Sequence, residues 1–379
     1  MVQFKDLGIN KIINAAGTLT GYSGSLMSNE VLKAMELASQ NFVDINELMQ
    51  KSGEYLAKLL NVEAAMITSG ASSGLLIATA ACISKGNLKS VYSLPNTEGM
   101  KNEIVVMRCH RNPYDSAMIT AGAKFVEIGN VIDKPQLWEL DNAIGEKTAA
   151  IGFFVQSEML QASLSLTEVL NIAHYHNIPV IVDAAAELPP VDNFQKFIRM
   201  GADIVIFSGG KDIRGPQSSG IMLGKKEIIE CCRLINYPNI TIGRPLKLDK
   251  ETIIGLVTAV ELYLKENHQA RIQKWHRQVK KIIKELSTLN GIIVSQEIPQ
   301  DSYPQPFYRP PIIPRVFIEI EENKKGFTQE DFAQKLYESD PPIVVRISKK
   351  HIAINPHMLY EGEDDYIIER IIQITKESF

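Results

Sequence analysis

Between about residue 60 and residue 235 the chain alternates short, continuously apolar, β-rich runs with segments of helical periodicity. The runs are Ala64–Thr68, Glu103–Met107, Lys124–Ile128, Thr148–Val155, Pro179–Asp183, Asp203–Phe207 and Gly220–Leu223. Helical patterns such as Ser72–Ile83 and Thr167–His176 lie between most of them. A strand that is apolar on both sides must be covered on both faces, and helical connections return the chain in the same direction. This order therefore predicts an α/β fold built on a mostly parallel seven-stranded sheet. In such sheets ligands gather at the carboxyl ends of the strands. That rule singles out Ser69–Ser73, His110, Asp183 and Ser208–Lys211.

The rest of the chain is read around this block. Residues 1–60 hold an irregular Gly/Ser/Thr segment, Asn14–Ser28, and two helices, expected to pack on the large domain of residues 61–248. Asp249–Leu289 has long helical periodicity and is expected to connect to a small α+β domain, the two together making residues 249–379. Strands are expected near 291–297, 314–320 and 343–354, and helices near 328–338 and 363–376. The stretch 301–314, DSYPQPFYRPPIIP, reads as a stiff connector, with an active-site lid as the alternative.

Composition removes several function classes. A net charge of −4 and a pI near 6.0 give no electrostatic footprint for nucleic acid or an anionic membrane. No run approaches the ~18 apolar residues of a membrane span, and the N-terminus MVQFKDLGINK lacks the apolar core of a secretion signal. Cysteines at 82, 109, 231 and 232 form no C-x-x-C pair and have no matching histidine spacing, so no metal site is expected. Reduced thiols in a cytoplasmic protein is the plain reading.

Three positions carry the chemistry. Lys211 sits past an apolar run, among Ser208, Gly209, Gly210 and Gly215. An amine is costly to hold in so tight a corner unless it is used, and an aldehyde cofactor uses it by forming a Schiff base. Thr68-Ser-Gly-Ala-Ser-Ser-Gly74 follows a strand and opens a helix, which brings N–H groups of Ser69, Gly70, Ala71 and Ser72 toward an anion such as a phosphate monoester. Taken alone, that turn is more often a capping device. Asp183 closes a fully apolar strand and needs a cationic partner or a helix to cap. A protonated pyridine nitrogen would satisfy it and would make the ring an electron sink. A phosphate cradle, a pyridinium carboxylate and a Schiff-base lysine, in that order along the chain, are the three anchors of pyridoxal 5′-phosphate.

The arrangement resembles the fold-type I pyridoxal-phosphate enzymes, the aspartate-aminotransferase superfamily, and within it the group around selenocysteine synthase (L-seryl-tRNA selenium transferase). The residues that carry the resemblance are Ile13-Asn-Ala-Ala-Gly-Thr18, Thr68–Gly74, Val182-Asp183, Phe207–Gly220 with the spelling SGGKDIRGPQSSG after Phe207, and Arg244-Pro-Leu-Lys-Leu-Asp-Lys250. Selenocysteine synthase carries an N-terminal tRNA-binding extension, whereas here the core motif begins at Ile13, so a tRNA substrate is not expected. His110-Arg-Asn-Pro-Tyr-Asp115 and the spelling KDIRG from Lys211 to Gly215 look instead like the small-molecule branch, similar to D-glucosaminate-6-phosphate ammonia-lyase. The resemblance implies that His110 stacks on the cofactor ring, with a capping histidine as the alternative, and that Ser208 joins Ser72 on its phosphate. It also implies that Arg214, Arg244 and Arg346 are candidates for gripping a substrate anion, each with a surface salt bridge as the alternative.

These observations point to a lyase that removes water and ammonia from a hydroxylated amino acid, sugar-derived and with or without a phosphate. The substrate would be a small molecule, with neither nucleic acid nor membrane as partner. Lys211 would hold the cofactor and act as base at Cα, and Asp183 would keep the ring charged. Family habit implies at least a homodimer. The same three anchors also serve selenium-transferase-like β-replacement, transamination and racemisation, and a protein that binds the cofactor without catalysis.

Overall fold

The apolar runs read from the sequence are strands in a computed structural model that describes residues 2–130, 133–155, 162–296, 312–321, 328–347 and 351–377. After a two-residue strand β1 (Ile13–Asn14) come β2 (Ala64–Thr68), β3 (Glu103–Met107), β4 (Lys124–Ile128), β5 (Thr148–Phe154), β6 (Val180–Asp183), β7 (Ile204–Ser208) and β8 (Gly220–Gly224). Strands β2 to β8 make one seven-stranded sheet in the order β2-β8-β7-β6-β5-β3-β4. Only β8 runs against its neighbours, so β2 through β7 all end on the same edge and β8 begins there.

This sheet belongs to a unit comprising Ser25–Glu266. Alternate strand residues feed two separate apolar layers, as the two-residue strand period requires. Val105, Ile151, Val182, Val205 and Leu223 pack to one side, beneath helices Ile45–Leu60, Leu166–Tyr175 and Lys250–Lys265. Ile104, Ala150, Ile181, Ile206 and Met222 pack to the other, beneath helices Ala71–Ser84 and Lys226–Ile235. Helix Ala71–Ser84 is buried from Gly74 onward, and a side chain at Gly74 would meet Ile206 Cγ2 at 2.9 Å. The outer edge of β2 is closed by side chains: Asn236 Nδ2 donates to Ile67 O at 3.1 Å and Arg233 Nη2 to Ala65 O at 3.3 Å. At the amino end of the sheet, buried Asp203 accepts from the Val180 N–H at 2.8 Å and pairs with Lys225 and with His174.

The second unit holds Met1–Gly24 together with the chain from Asn267 onward, apart from a segment outside the described residues. Its strands are β1, β9 (Ile292–Gln296), β10 (Val316–Ile320), β11 (Ile343–Val344), β12 (Arg346–Ile347) and β13 (Ile352–Ile354). An antiparallel sheet runs β12-β13-β10-β9. β1 pairs in parallel with β11, placing Ile13 opposite Ile343.

Three expectations are corrected here. Residues 1–24 group with the C-terminal unit rather than with the large one, because the β1–β11 pairing and the Asn355 N–H to Ala15 O bond of 2.8 Å tie them there. Gly17, at φ +87°, lies against Asn355, whose Nδ2 a Cβ would meet at 2.5 Å. The long helix expected over Asp249–Leu289 is two helices, Lys250–Lys265 and His268–Leu286. Glu266 leaves helical geometry, and Asn267 starts the second helix by accepting the Ala270 N–H at 3.0 Å. The stretch expected near 343–354 is likewise three short strands, not one. Of the proline-rich stretch 301–314, residues 301–311 lie outside the described residues.

Candidate functional site

The shared edge of the large sheet gathers the residues singled out in the sequence. Thr68 on β2, Gly220 on β8 and Ser208 on β7 lie side by side in register. Ser69 and Ser208 are thus flanked by one intervening strand, roughly 10 Å of sheet at the usual ~4.8 Å spacing. Asp183 ends β6, the neighbour of β7, opposite Ile206 and two residues short of Ser208. Lys211 follows three residues after Ser208 in a tight turn.

The turn after β2 is built to leave donors open. Gly70 is the cap of helix Ala71–Ser84 and has φ +113° and ψ 165°, a conformation that only glycine adopts readily. It offers no side chain to the first N–H groups of the helix, and no atom lies within 4 Å of where its Cβ would point. The hydroxyls are arranged around that gap: Thr68 Oγ1 donates to Gly70 O at 2.9 Å, Ser69 Oγ to Ser73 Oγ at 3.0 Å, and Ser73 Oγ to Ser69 O at 3.2 Å. Ser72 is exposed. The positive end of a four-turn helix with free N–H groups suits an anion.

The Lys211 turn is pinned from several directions. Gly209 N–H donates to Ser219 O at 2.8 Å, Gly215 N–H to Gly209 O at 2.9 Å, and Arg214 N–H to Lys211 O at 3.0 Å. Ser25 Oγ donates to Gly210 O at 3.0 Å. A Cβ at Gly210 would meet the Gln217 backbone at 2.6 Å, so glycine is required for the strand to turn so closely. Directly after the lysine, Asp212 is buried and accepts the Tyr263 hydroxyl at 2.5 Å. Lys211 itself is half-buried. Asp183 is half-buried too, and its Oδ1 accepts the Ala185 N–H at 2.9 Å.

The other expected residues are placed as follows. His110 stands beyond the end of β3, fully buried; its Nδ1 accepts the Phe154 N–H at 3.2 Å and its ring is edge-on to Phe153 at 4.8 Å. Burial lowers its pKa to about 4. β3 and β5 are also where the sheet order reverses relative to the chain, the position at which open α/β sheets form their crevice. Arg214 has φ +58° and is engaged by Glu266 at 2.7 Å. Arg244 is exposed, its guanidinium 5.2 Å from the Tyr237 ring centre. Arg346 lies on β12 of the second unit, opposite Ala353. The edge of the large sheet therefore brings together the Ser69–Ser72 turn, Asp183, Ser208 and Lys211, whereas Arg214 is spent on a carboxylate.

Sequence reasoning gave Gly220, Asp212 and Ser25 no individual role. A Cβ at Gly220 would lie 2.6 Å from the Gly70 carbonyl carbon, so the Lys211 loop returns to the sheet directly against the anion turn. The repeated glycines hinted at close approach, but neither Tyr263 nor Ser25 is near these residues in the sequence. Among the described residues no group of three or more His, Cys, Asp or Glu side chains is placed to hold a metal.

These residues fit pyridoxal 5′-phosphate. The open helix terminus beside Gly70 suits its phosphate, a half-buried carboxylate at a strand end suits its ring nitrogen, and an amine between two glycine-tight turns suits its aldehyde.

Comparisons with known proteins agree. The chain is 31% identical to D-glucosaminate-6-phosphate ammonia lyase of Salmonella typhimurium, over 99% of this chain and 98% of that one. A solved structure of D-glucosaminate-6-phosphate ammonia-lyase superposes with a TM-score of 0.84 at 30% identity, covering 99% of this chain and 98% of that chain. A 5′-C-glycyluridine monooxygenase-decarboxylase from Streptomyces is 27% identical over 98% of this chain and 92% of its own length. The sequence profile of SelA, L-seryl-tRNA selenium transferase, matches residues 12–360, and the chain belongs to that family.

Proposed function

We propose that this chain is a pyridoxal 5′-phosphate-dependent ammonia-lyase that acts on a hydroxylated, sugar-derived amino acid of the D-glucosaminate 6-phosphate kind. The observation that carries this reading is the 31% identity, sustained over the full length, to an enzyme of that name. The shared edge that bears Lys211, Asp183 and the Ser69–Ser72 turn supports it.

When bound, the cofactor supplies an electron sink for the charge released at the substrate's Cα. Lys211 Nζ would hold the cofactor's aldehyde carbon, and its amine is the base placed to take the substrate's Cα proton. Asp183 keeps a proton on the ring nitrogen by setting a carboxylate against it. The N–H groups of Ser69–Ser72 and the Ser208 hydroxyl would hold the phosphate, and Arg244 is a candidate for a substrate anion. Departure of the β-hydroxyl as water and hydrolysis of the resulting enamine release a 2-keto acid and ammonia. Four free thiols support a cytoplasmic location, and no described helix is long and apolar enough to cross a membrane. The family resemblance supports a homo-oligomer as the working form.

The relative named a monooxygenase-decarboxylase is a reason to test the reaction rather than the cofactor alone. Holoenzyme is incubated with D-glucosaminate 6-phosphate, the unphosphorylated acid or serine, with no keto acid added. Ammonia and keto acid in equal amounts are expected, from the phosphorylated acid foremost. Amino transfer that requires an added keto acid, or consumption of oxygen, would overturn the lyase reading. Lys211→Ala should lose both turnover and the visible absorbance of the bound cofactor.

A further inference from the structure

Asp212 follows Lys211 directly and is 1% exposed, a carboxylate taken almost wholly out of water. Such a group is costly to bury unless it is well partnered. One partner comes from far along the chain: the hydroxyl of Tyr263, itself fully buried, donates to Asp212 Oδ2 at 2.5 Å. The Tyr263 ring stands edge-on to Phe194 at 6.1 Å, and Phe194 in turn meets Phe207 at 5.0 Å. The phenol is thus fixed by the apolar layer under the sheet.

Tyr263 ends a series of contacts. Helix Lys250–Lys265 lies along the lysine turn: a Cβ at Gly255 would meet Pro216 at 3.0 Å, and one at Gly209 would meet Leu256 Cδ1 at 2.6 Å. A Cβ at Gly215 would lie 3.1 Å from Leu256 Cδ1 and 3.4 Å from Ala259 Cβ. Positions 256, 259 and 263 share one face of that helix, as its period requires. Leu256 and Ala259 set how closely turn and helix approach, but apolar contact has no direction. The Tyr263–Asp212 bond adds direction one residue from the lysine, and Glu266 holds Arg214 at 2.7 Å two residues further on. Packing does not call for a carboxylate here, since an apolar side chain against the same helix would bury without that cost.

We propose that Asp212 and Tyr263 are positioning residues for Lys211. The phenol holds the carboxylate, and the carboxylate holds the turn that aims the amine. The negative charge of Asp212 also favours a proton on the lysine nitrogen, free or joined to the cofactor. Other charged side chains on the elements that meet here are Arg214 with its partner Glu266, Asp183 at the end of β6, and Glu187 in the loop after it. The proposal rests on Lys211 as the lysine that holds the cofactor, and not on which reaction follows.

The visible absorbance of the bound cofactor tests it. Asp212→Asn keeps an oxygen for the Tyr263 hydroxyl and removes the charge, whereas Tyr263→Phe keeps ring and charge and removes the bond. The pH midpoint of the absorbance should fall by at least about one unit in Asp212→Asn, and by less than about half of that in Tyr263→Phe. When the cofactor is removed and returned, the absorbance should recover about tenfold more slowly in Tyr263→Phe than in wild type. In an Asp212→Ala background the same substitution should slow recovery no further, because the phenol then has no carboxylate to hold. A midpoint in Asp212→Asn within about 0.3 unit of wild type would overturn the proposal. So would wild-type recovery in Tyr263→Phe, or a full tenfold effect of that change beside Asp212→Ala. Tyr263→Phe removes one oxygen from a ring that stays packed, so its recovery rate decides the matter even where Asp212→Asn does not fold. Visible absorbance retained in Lys211→Ala would sink the lysine assignment beneath. Absorbance lost there, with no effect in the Asp212 and Tyr263 variants, would sink this proposal and leave the lysine in place.

Discussion

His110 Nδ1 accepts the backbone N–H of Phe154 at 3.2 Å, in the place where β5 has outrun its neighbour β3. The last register pair between those strands is Val106 with Gly152, so the imidazole takes the ladder position that β3 no longer supplies. With Nδ1 accepting, the proton sits on Nε2, which is buried and has no hydrogen-bond partner.

Burial lowers the His110 pKa to about 4, against an ordinary 6.5 in the unfolded chain. Below pH 6.5 the unfolded chain therefore takes up a proton that the folded chain refuses. The stability this histidine contributes is complete above pH 6.5 and is lost as the pH falls toward 4, by roughly 2–3 kcal/mol. Urea unfolding at pH 7 and pH 4.5 measures the loss in wild type and in His110→Phe. The variant is less stable at pH 7, because the Phe154 N–H loses its acceptor, yet it should lose about 2 kcal/mol less on acidification. An equal loss in both proteins would show that His110 does not carry the effect.

Asp203 is the corresponding tie at the opposite edge of the sheet. Its carboxylate, 2% exposed as a residue, accepts from the Val180 N–H at 2.8 Å and meets Lys225 at 2.6 Å and His174 at 3.0 Å. Asp203→Ala leaves a buried N–H and an ammonium without their acceptor and should cost about 3 kcal/mol. Asp203→Asn keeps the acceptor for Val180 and should cost less. Because the proposed site lies at the far edge, kcat per folded enzyme should be unchanged in both, as chemical denaturation and steady-state assays on the same samples would show.

The strands of the large sheet were legible because burial on both faces leaves a continuous apolar run, and no other pattern competes with it over Ala64–Thr68 or Glu103–Met107. Strand ends follow from strands, and so Asp183 and Lys211 were legible as well. What the sequence hides is partnership at long range. Ile13 and Ile343 pair from opposite ends of the chain, and a two-residue strand carries no signal of its partner. Arg214 is a candidate for a substrate anion or a salt bridge in the sequence, and only the fold pairs it with Glu266, as only the fold brings Asp212 to Tyr263. The helix break at Glu266–Asn267 did leave a mark, an asparagine at a cap position, but the apolar periodicity on either side outweighs it.

Gly220 and Gly74 separate the demands of the site from those of the core. A Cβ at Gly220 would press on the Gly70 carbonyl carbon at 2.6 Å, and the turn there can yield only by moving the open helix terminus. A Cβ at Gly74 would press on the Ile206 side chain at 2.9 Å, inside the apolar layer. Gly220→Ala should therefore weaken cofactor binding by about tenfold or more, while Gly74→Ala should lower stability by about 1–3 kcal/mol with cofactor affinity nearly unchanged. Cofactor titration by fluorescence together with thermal unfolding distinguishes the two. Similar affinity losses in both would mean that the turn is not the phosphate site.

Asp183 offers the sharpest test of the chemistry, because its two duties are separable. One carboxylate oxygen accepts the Ala185 N–H at 2.9 Å and fixes the start of the loop after β6; the charge is what the ring nitrogen would need. Asn at this position can keep an acceptor for Ala185 while removing the charge. Asp183→Asn should then fold with a melting temperature within about 2 °C of wild type and still bind cofactor. Its kcat should fall at least about a hundredfold, the usual size of losing one electrostatic partner at a reacting centre. Asp183→Ala loses the turn acceptor as well and should be less stable by about 1–2 kcal/mol. Calorimetry, cofactor stoichiometry and ammonia release on the three proteins decide it. Full turnover in Asp183→Asn would remove the carboxylate from the mechanism and leave it as a turn residue alone.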